Sequence, residues 1–251
     1  MSNALERGLD VLEYLADHST ARVSEIMTNL GVSRATAFRI MLSLESRGYA
    51  EHVREEHVWR LGPSVSALAS SVDSSSLVQL AAPALTDLHQ ESGGETVNLA
   101  VLQRNRVIWA DWREGTHALR LTTTVGESAP PHATAVGKAI LSVLPEVEWS
   151  RLLPPEPYPH VTTFTRRHLD QLRVDVEECR ARGWALDEEE SELSGVCVAA
   201  PILGRDDRPV AAISISSVAG RMPADVRPVR GEAVARWCAQ ISAQLRSNEA
   251  A

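Results

Sequence analysis

The sequence predicts an α+β fold in which an N-terminal winged helix-turn-helix precedes a second domain with an antiparallel sheet. Near the N-terminus, apolar residues recur at helical spacing, and a glycine separates two of the predicted helices. Two short runs of alternating polarity follow the third helix, and beyond residue 77 strand-like runs with short turns are mixed with helices. At 251 residues, the chain is long enough for two domains.

The first three helices are predicted from periodicity and capping residues. The apolar face of NALERGLDVLEYLADH consists of Leu5, Leu9, Leu12 and Leu15. A shorter helix, VSEIMTNL, ends at Gly31, because glycine adopts a positive φ without strain. Ser33 is then placed to cap a third helix, which runs to about Arg47 and stops at Gly48.

The third helix has two unequal sides. One stripe is apolar except at its end and contains Ala35, Phe38, Met41, Leu42 and Glu45. The other is polar and contains Thr36, Arg39, Ser43 and Ser46 or Arg47. Apolar stripes of surface helices face the core, so the polar stripe is expected to face outward.

A small hairpin completes the first domain. The runs YAEHV and HVWRLG alternate in polarity and are joined by REE, which indicates the wing of a winged helix-turn-helix. We therefore predict a winged domain over residues 1–62, a linker helix over 63–76 and a second domain over 77–251.

The second domain is predicted to begin with a helix that contains Pro83, although proline is unfavourable in the interior of a helix. Three strand-like runs follow: ETVNLAVLQ, RVIWADWRE and ALRLTTT. Strand alternation puts Trp109 and Trp112 on opposite faces. Two helices, HATAVGKAILSVL and LDQLRVDVEECRARG, precede a hairpin of GVCVAAPIL and PVAAISIS around GRDDR, and a last helix closes the chain.

The charge balance limits how the protein could bind nucleic acid. A formal net charge of −8 argues against a general coating protein, because non-specific affinity comes from phosphate neutralisation by Lys and Arg. A site-specific reader remains compatible, since it needs basic groups only on one surface. Residues 1–62 carry nine acidic side chains against seven arginines, so we expect affinity to depend on dimerisation more than on charge.

Several classes of protein are disfavoured. No run approaches the roughly 18 apolar residues of a membrane span, and the acidic N-terminal segment is unlike a signal peptide, which indicates a cytoplasmic protein. Three widely spaced cysteines predict neither disulfides nor a redox motif, and the histidine spacing predicts no metal site. No cofactor is expected. No GxSxG, HExxH or GxGxxG motif is present, so an enzyme is not expected.

The N-terminal half of the third helix is a candidate DNA-reading element. A helix fits the major groove of B-DNA, and side chains at its N-terminal end reach base edges while amides and hydroxyls meet phosphates. The candidates are Ser33, Arg34, Thr36, Ala37, Arg39 and Ser43 from the helix, with Arg54 and His57 from the hairpin tip. The alternative is an ordinary solvated surface helix, but the Gly31 turn and the hairpin favour DNA reading.

In the second domain, AISIS is a candidate wall of a small-molecule site. Alternation puts Ser214 and Ser216 on one face, and Cys197 in the paired strand lies on the same side. Buried hydroxyls need partners. In one interpretation, the serines line a small-molecule cavity together with a thiol and aliphatic groups. In the other, they bond to neighbouring backbone and no cavity exists. The residues alone favour neither interpretation.

Two charged features are assigned no role. Lys138 follows Gly137 as in a phosphate-binding loop, but His132 and Ala139 break the G-x-x-x-x-G-K-[ST] pattern, so Lys138 is interpreted as a helix-surface lysine. The run from Glu188 to Glu192 is interpreted as solvated, as most such runs are.

The chain as a whole resembles the IclR family of transcriptional regulators. The resemblance rests on ALERGLDVLEYLA, GVSRATAFRIMLSLESRGY, WRLG, PPHATAVGKAILS and GWALDEEESELSGVCVAAPILGRDDRPVAAISISS, and the last two are the most distinctive. It implies a GAF-like second domain, an effector ligand and a dimer or tetramer.

The resemblance also implies an effector site. Its residues here would be Leu121, Ala135, Val136, Asp187, Cys197, Ser214 and Ser216. Ala135 and Val136 lie near a helix start, where free amides could bind a carboxylate. Family members often carry Gly or Ser in the matching ATAV stretch, and the bulkier Val136 disfavours a very small ligand in the same pose.

The sequence thus predicts an effector-responsive regulator that represses transcription from a palindromic operator as a dimer or dimer of dimers. Its effector would be a small organic acid or an aromatic metabolite. The competing hypothesis is a ligand-sensing module whose N-terminal domain binds protein and has no specific affinity for DNA.

Overall fold

The computed structural model describes residues 4–65, 75–103 and 105–247. Contacts within the chain divide it into two units, Met1–Ser74 and Ser75–Ala251. The predicted linker helix over 63–76 falls at this division, and its residues 66–74 lie outside the described residues. No helix in the described ranges combines the length and the apolarity needed to span a bilayer.

The N-terminal unit is a winged helix-turn-helix, as predicted. It contains α1 (Ala4–His18), α2 (Val23–Leu30), α3 (Arg34–Ser46), β1 (Ala50–Val53) and β2 (Val58–Leu61). Gly31 adopts a φ of 61°, and its amide donates to the carbonyl of Met27, which ends α2 sharply. The hydroxyl of Ser33 accepts from the amide of Thr36 at 3.3 Å and so caps α3.

The wing is fixed to the helices through its buried tryptophan. In the β1–β2 ladder His52 pairs with Trp59, which is 1% exposed. The backbone of Trp59 exchanges two hydrogen bonds with Ala21, at 2.7 and 2.8 Å. This bridge joins the wing to the start of α2, so the hairpin keeps a defined position beside α3.

The inward stripe of α3 differs from the predicted one. The buried side is formed by Ala37 and Met41, with Ile40 and Leu44 partly buried. Ala35, Phe38 and Leu42 face solvent instead. The helix carries two apolar stripes at helical spacing, and packing against the helices before it selects the one that begins with the small Ala37.

The C-terminal unit is built on a five-stranded antiparallel sheet in the order β4-β3-β7-β6-β5. Its strands are β3 (Thr96–Gln103), β4 (Arg106–Arg113), β5 (Ala185–Glu188), β6 (Gly195–Leu203) and β7 (Pro209–Val218). Its helices are α4 (Ser75–Glu91), α5 (Ala135–Val143), α6 (Leu169–Arg182) and α7 (Val226–Ser247). The helix α4 continues through Pro83, so the proline does not end it.

Helices cover both faces of the sheet. One core lies between the sheet and the pair α4 and α7, where Leu85, Leu88 and Val234 pack against Leu99 and Ile213. The other core lies between the sheet and the pair α5 and α6, and contains Ile140, Leu172, Ala199 and Ala212. The predicted α+β architecture is confirmed.

Two local predictions in this unit are wrong. The run ALRLTTT, residues 118–124, forms no strand, because the outer edge of β4 is occupied by residues 126–129: Trp109 donates to Glu127 at 3.0 Å and Ala129 donates to Val107 at 2.8 Å. Trp109 and Trp112 lie on the same face, since a bulge in β4 sets Trp109 opposite Ala100 and Trp112 opposite Asn98.

Candidate functional site

The helix α3 presents most of its predicted DNA-contacting residues to solvent. Arg34, Arg39 and Ser43 are exposed, whereas Thr36 is half-buried and shares a 3.1 Å hydroxyl contact with Ser33. On the wing, Arg54 and His57 are exposed in the turn between β1 and β2.

Ala37 is a correction to the predicted set. Its side chain is 0% exposed and belongs to the core that includes Val11, Leu15 and Met41. Because it faces away from solvent, it cannot reach a base edge. Its part is to let α3 pack closely on its neighbours.

A cavity of about 530 Å³ opens in the C-terminal unit. Its lining includes all seven residues predicted for an effector site: Leu121, Ala135, Val136, Asp187, Cys197, Ser214 and Ser216. A loop, the start of α5 and the strands β5, β6 and β7 meet here, so the fold brings together what the resemblance only implied. Residues outside the predicted set also line it, among them Asn98, Trp109 and Arg120.

The serines on β7 are bonded to a buried asparagine. Asn98 on β3 donates from Nδ2 to Ser216 Oγ at 3.1 Å and to Ser214 Oγ at 3.4 Å. Each serine therefore keeps its own hydroxyl proton for another acceptor. Burial raises the pKa of the neighbouring Cys197 thiol, so it remains neutral. A lone Asn in an otherwise apolar strand was the signal that could have found Asn98.

The first turn of α5 forms another part of the wall. Thr134 caps it, with its hydroxyl accepting from the amide of Gly137 at 3.2 Å. The amides of Ala135 and Val136 lie in the first turn, where backbone N–H groups have no acceptor within the helix, so they can donate to a ligand in the cavity. This arrangement suits an anionic group.

Lys138, the only lysine in the sequence, is buried and not on the helix surface. Its Nζ donates to Glu190 Oε1 at 2.6 Å and to Asp175 Oδ2 at 3.0 Å. Glu190 is 2% exposed, so the interpretation of this part of the acidic run as solvated is also wrong. Because residues 138, 175 and 190 come from separate elements, no local pattern could reveal the cluster.

The same cluster holds the loop that carries Asp187 into the cavity wall. Asp187 is 1% exposed, and its Oδ1 accepts from the amide of Glu190 at 2.8 Å and from that of Ser191 at 3.3 Å. Burial raises the pKa of Asp187, against the charge of Lys138 and these hydrogen bonds. The carboxyl therefore fixes the turn after β5.

The pKa values of Lys138 and Glu190 are both raised, for different physical reasons. Burial would lower the pKa of Lys138, but Glu190, Asp175 and Asp187 outweigh it and the pKa is raised. Burial raises the pKa of Glu190 to about 7, despite the charge of Lys138. Among the described residues Glu190 Oε2 has no hydrogen-bond partner, which leaves the anion poorly stabilised.

Comparison with known proteins identifies both units. A family model described as "IclR helix-turn-helix domain" matches residues 4–54, and one described as "Bacterial transcriptional regulator IclR C-terminal" matches residues 69–243. The chain belongs to the IclR family of transcriptional regulators. It is therefore a DNA-binding regulator, and not an enzyme, because the family is made up of regulators.

Relatives of this IclR-family regulator match over most of its length. The transcriptional repressor IclR of Escherichia coli K12 is 33% identical over 229 residues, covering 88% of this chain and 82% of the relative. Thermotoga maritima IclR shares the fold with a TM-score of 0.70 at 27% identity, covering 96% of this chain and 98% of that one. An IclR homologue of Microbacterium hydrocarbonoxydans, complexed with 4-hydroxybenzoate, has a TM-score of 0.78 at 24% identity, covering 98% and 100%.

The titration of Glu190 predicts how stability of this IclR-family protein depends on pH. Its folded-state pKa of about 7 lies above the ordinary value of 4.5, so the folded state favours the protonated form. That stabilisation is fully present below pH 4.5 and is lost as pH rises through about 7. We expect Glu190→Gln to become more stable relative to the wild type between pH 5 and pH 8, by at most about 1.4 kcal/mol per pH unit.

Urea unfolding of both proteins at several pH values measures this difference. The exposed Glu192 provides the matched control, and Glu192→Gln should follow the wild type at each pH. A gap between Glu190→Gln and wild type that stays constant over this range would contradict the predicted titration.

Proposed function

We propose that this regulator is an effector-responsive repressor that binds a palindromic operator through α3, as a dimer or a dimer of dimers. The observation that carries the proposal is the exposure of Arg34 and Arg39 on α3, behind a capped N-terminus, while the opposite stripe of the helix is buried. That presentation is what a helix needs to enter the major groove.

The contacting residues in this proposal come from α3 and the wing. They are Ser33, Arg34, Thr36, Arg39, Ser43, Arg54 and His57. In a dimer bound to DNA, two winged units would occupy half-sites about 34 Å apart, one turn of the duplex. With nine acidic residues against seven arginines in residues 1–62, a single unit would bind weakly, and pairing would supply the affinity.

The proposed effector is a small organic acid or an aromatic metabolite. The amides of Ala135 and Val136 would receive a carboxylate, and the hydroxyls of Ser214 and Ser216 would bind a second polar group. Trp109 gives the cavity an aromatic wall. The Microbacterium homologue, which is complexed with an aromatic carboxylate, is compatible with this class.

In this proposal, the two sites assign a separate function to each segment of the chain. We assign DNA binding to residues 1–62, the connection to residues 63–76, and effector binding and oligomerisation to residues 77–251. A regulator that reads chromosomal operators would act in the cytoplasm. Effector binding could change operator affinity only by as much as it distinguishes the two states of the protein.

Arg34→Ala and Arg39→Ala are each expected to weaken operator binding by about 5- to 150-fold, because a bidentate arginine–guanine pair contributes roughly 1–3 kcal/mol. The operator is first selected from fragments of the organism's genome with the full-length protein. Gel-shift titration at fixed salt then measures the affinity of each variant, and repeating it with carboxylate metabolites searches for the effector.

The exposed Arg246 in α7 supplies a control of equal charge change, and Arg246→Ala should bind as the wild type does. Unchanged affinity in both α3 variants would remove this helix as the reader. Selection that enriches no motif would favour the protein-binding alternative.

A further inference from the structure

The solvent-facing side of α3 is partly apolar. Phe38 is 46% exposed and Leu42 is 45% exposed, and Ala35 also faces solvent. They follow one another at helical spacing, so they form a continuous stripe. The core of the unit does not use this stripe, because Ala37 and Met41 on another side of α3 are the buried residues.

Phe38 lies among the residues proposed to meet DNA. It borders a groove of about 500 Å³ together with Arg34, His52 and His57, so it faces the space between α3 and the wing. Arg34 precedes it by one helical turn, and Arg39 follows it directly. An aromatic ring beside Arg34 and the wing tip therefore lies on the surface that a duplex would cover.

The major groove offers this ring one kind of partner. Among the base edges exposed there, the 5-methyl group of thymine is the apolar one, and the others present hydrogen-bond donors and acceptors. Apolar side chains such as Phe and Ala read that methyl by contact. Arg34 and Arg39 cannot supply such a contact, because guanidinium groups select guanine or phosphate.

We propose that Phe38, assisted by Ala35, determines operator specificity by contacting thymine methyl groups in each half-site. The proposal rests on the proposed function in one respect: α3 must lie in the major groove. One helical turn rises about 5.4 Å and base pairs are about 3.4 Å apart, so Phe38 addresses a base pair about one or two steps from the one that Arg34 reads. The half-site accordingly contains a thymine close to a guanine.

Replacing thymine by deoxyuridine tests the proposal, since it removes only the methyl group. Each thymine of the selected operator is replaced singly, and the affinity of the full-length protein is measured at fixed salt. We expect replacement at the contacted position to weaken wild-type binding about three- to fivefold, which is the effect of one buried methyl. At the position that Phe38 contacts, Phe38→Ala should bind the thymine and deoxyuridine operators nearly equally well.

Two further variants separate this proposal from the proposed function. Arg39→Ala should bind more weakly overall and still discriminate thymine from deoxyuridine, because the ring of Phe38 is still present in this variant. Phe38→Leu should restore part of the discrimination. If the α3 arginines matter for affinity but no deoxyuridine replacement does, the thymine contact is overturned while DNA reading by α3 stands.

The competing occupant of the stripe is a second copy of the chain. Sedimentation of wild type and Phe38→Ala without DNA distinguishes the two cases. An unchanged oligomeric state together with lost thymine discrimination supports the proposal. Dissociation of the Phe38→Ala oligomer with thymine discrimination retained overturns it, and circular dichroism verifies that the variant is folded.

Discussion

Lys138→Met is expected to lower the free energy of unfolding of the C-terminal unit by about 3–5 kcal/mol, the usual cost of removing one partner of a buried ion pair. Lys138 is 1% exposed and lies within 3.0 Å of carboxylate oxygens of both Glu190 and Asp175. Without its charge, the buried carboxyls of Glu190 and Asp187 lose the stabilisation that Lys138 supplies, whereas Asp175 keeps Arg166 at 3.0 Å.

Chemical unfolding followed by circular dichroism measures this loss. The double variant Lys138→Met with Glu190→Gln should recover part of the stability, because it removes one of the two buried carboxyls that depend on Lys138. Since Lys138 is the only lysine, amine-reactive labelling also reports its burial: in folded wild type the side chain should stay unmodified. A Lys138→Met protein as stable as wild type would contradict a structural role for the cluster.

Gly137→Ala is expected to be the other strongly disruptive substitution, although it adds a single methyl group. A Cβ at this position would lie 2.3 Å from Cα and 2.5 Å from the carbonyl oxygen of Pro131, so α5 would have to move away from the chain before it. Such overpacking costs about 1–3 kcal/mol. Because Ala135 and Val136 immediately precede this glycine, we also expect the effector response to be lost.

Thermal unfolding and effector-dependent gel shifts measure the two consequences separately. Gly220→Ala is the matched control within the same unit, since a Cβ there would meet no atom within 4 Å. If Gly137→Ala unfolds at the same temperature as the wild type, the segment around Pro131 moves without cost and the predicted overpacking is contradicted. If the destabilised Gly137→Ala variant still responds to the effector, the cavity wall at Ala135 and Val136 does not depend on this glycine.

Both substitutions act on contacts around the cavity that the sequence did not reveal. The residues expected to line the cavity were implied by the family resemblance, and all of them do line it. The residues alone left open whether Ser214 and Ser216 bonded to backbone or faced a cavity. In the structure both line the cavity, and both accept hydrogen bonds from Asn98 on another strand. Lys138 looked like a helix-surface residue because its partners lie 37 and 52 positions away in the sequence.

By itself, the sequence determined the local elements of this protein. The glycine at position 31, the cap at Ser33 and the alternation around the wing act over a few residues, and they sufficed to predict the winged helix-turn-helix. The alternation of AISIS likewise fixed which side chains of β7 share a face.

Only the tertiary structure decided which of several locally equivalent arrangements is formed. Two apolar stripes of α3 have helical spacing, and contact with the rest of the unit buries Ala37 and leaves Phe38 in solvent. A bulge in β4 reverses the expected side of Trp112, and residues 126–129 take the edge that residues 118–124 could have paired with. The physical reason is common to these cases: burial and charge pairing depend on neighbours that are distant in the chain, and periodicity carries no information about them.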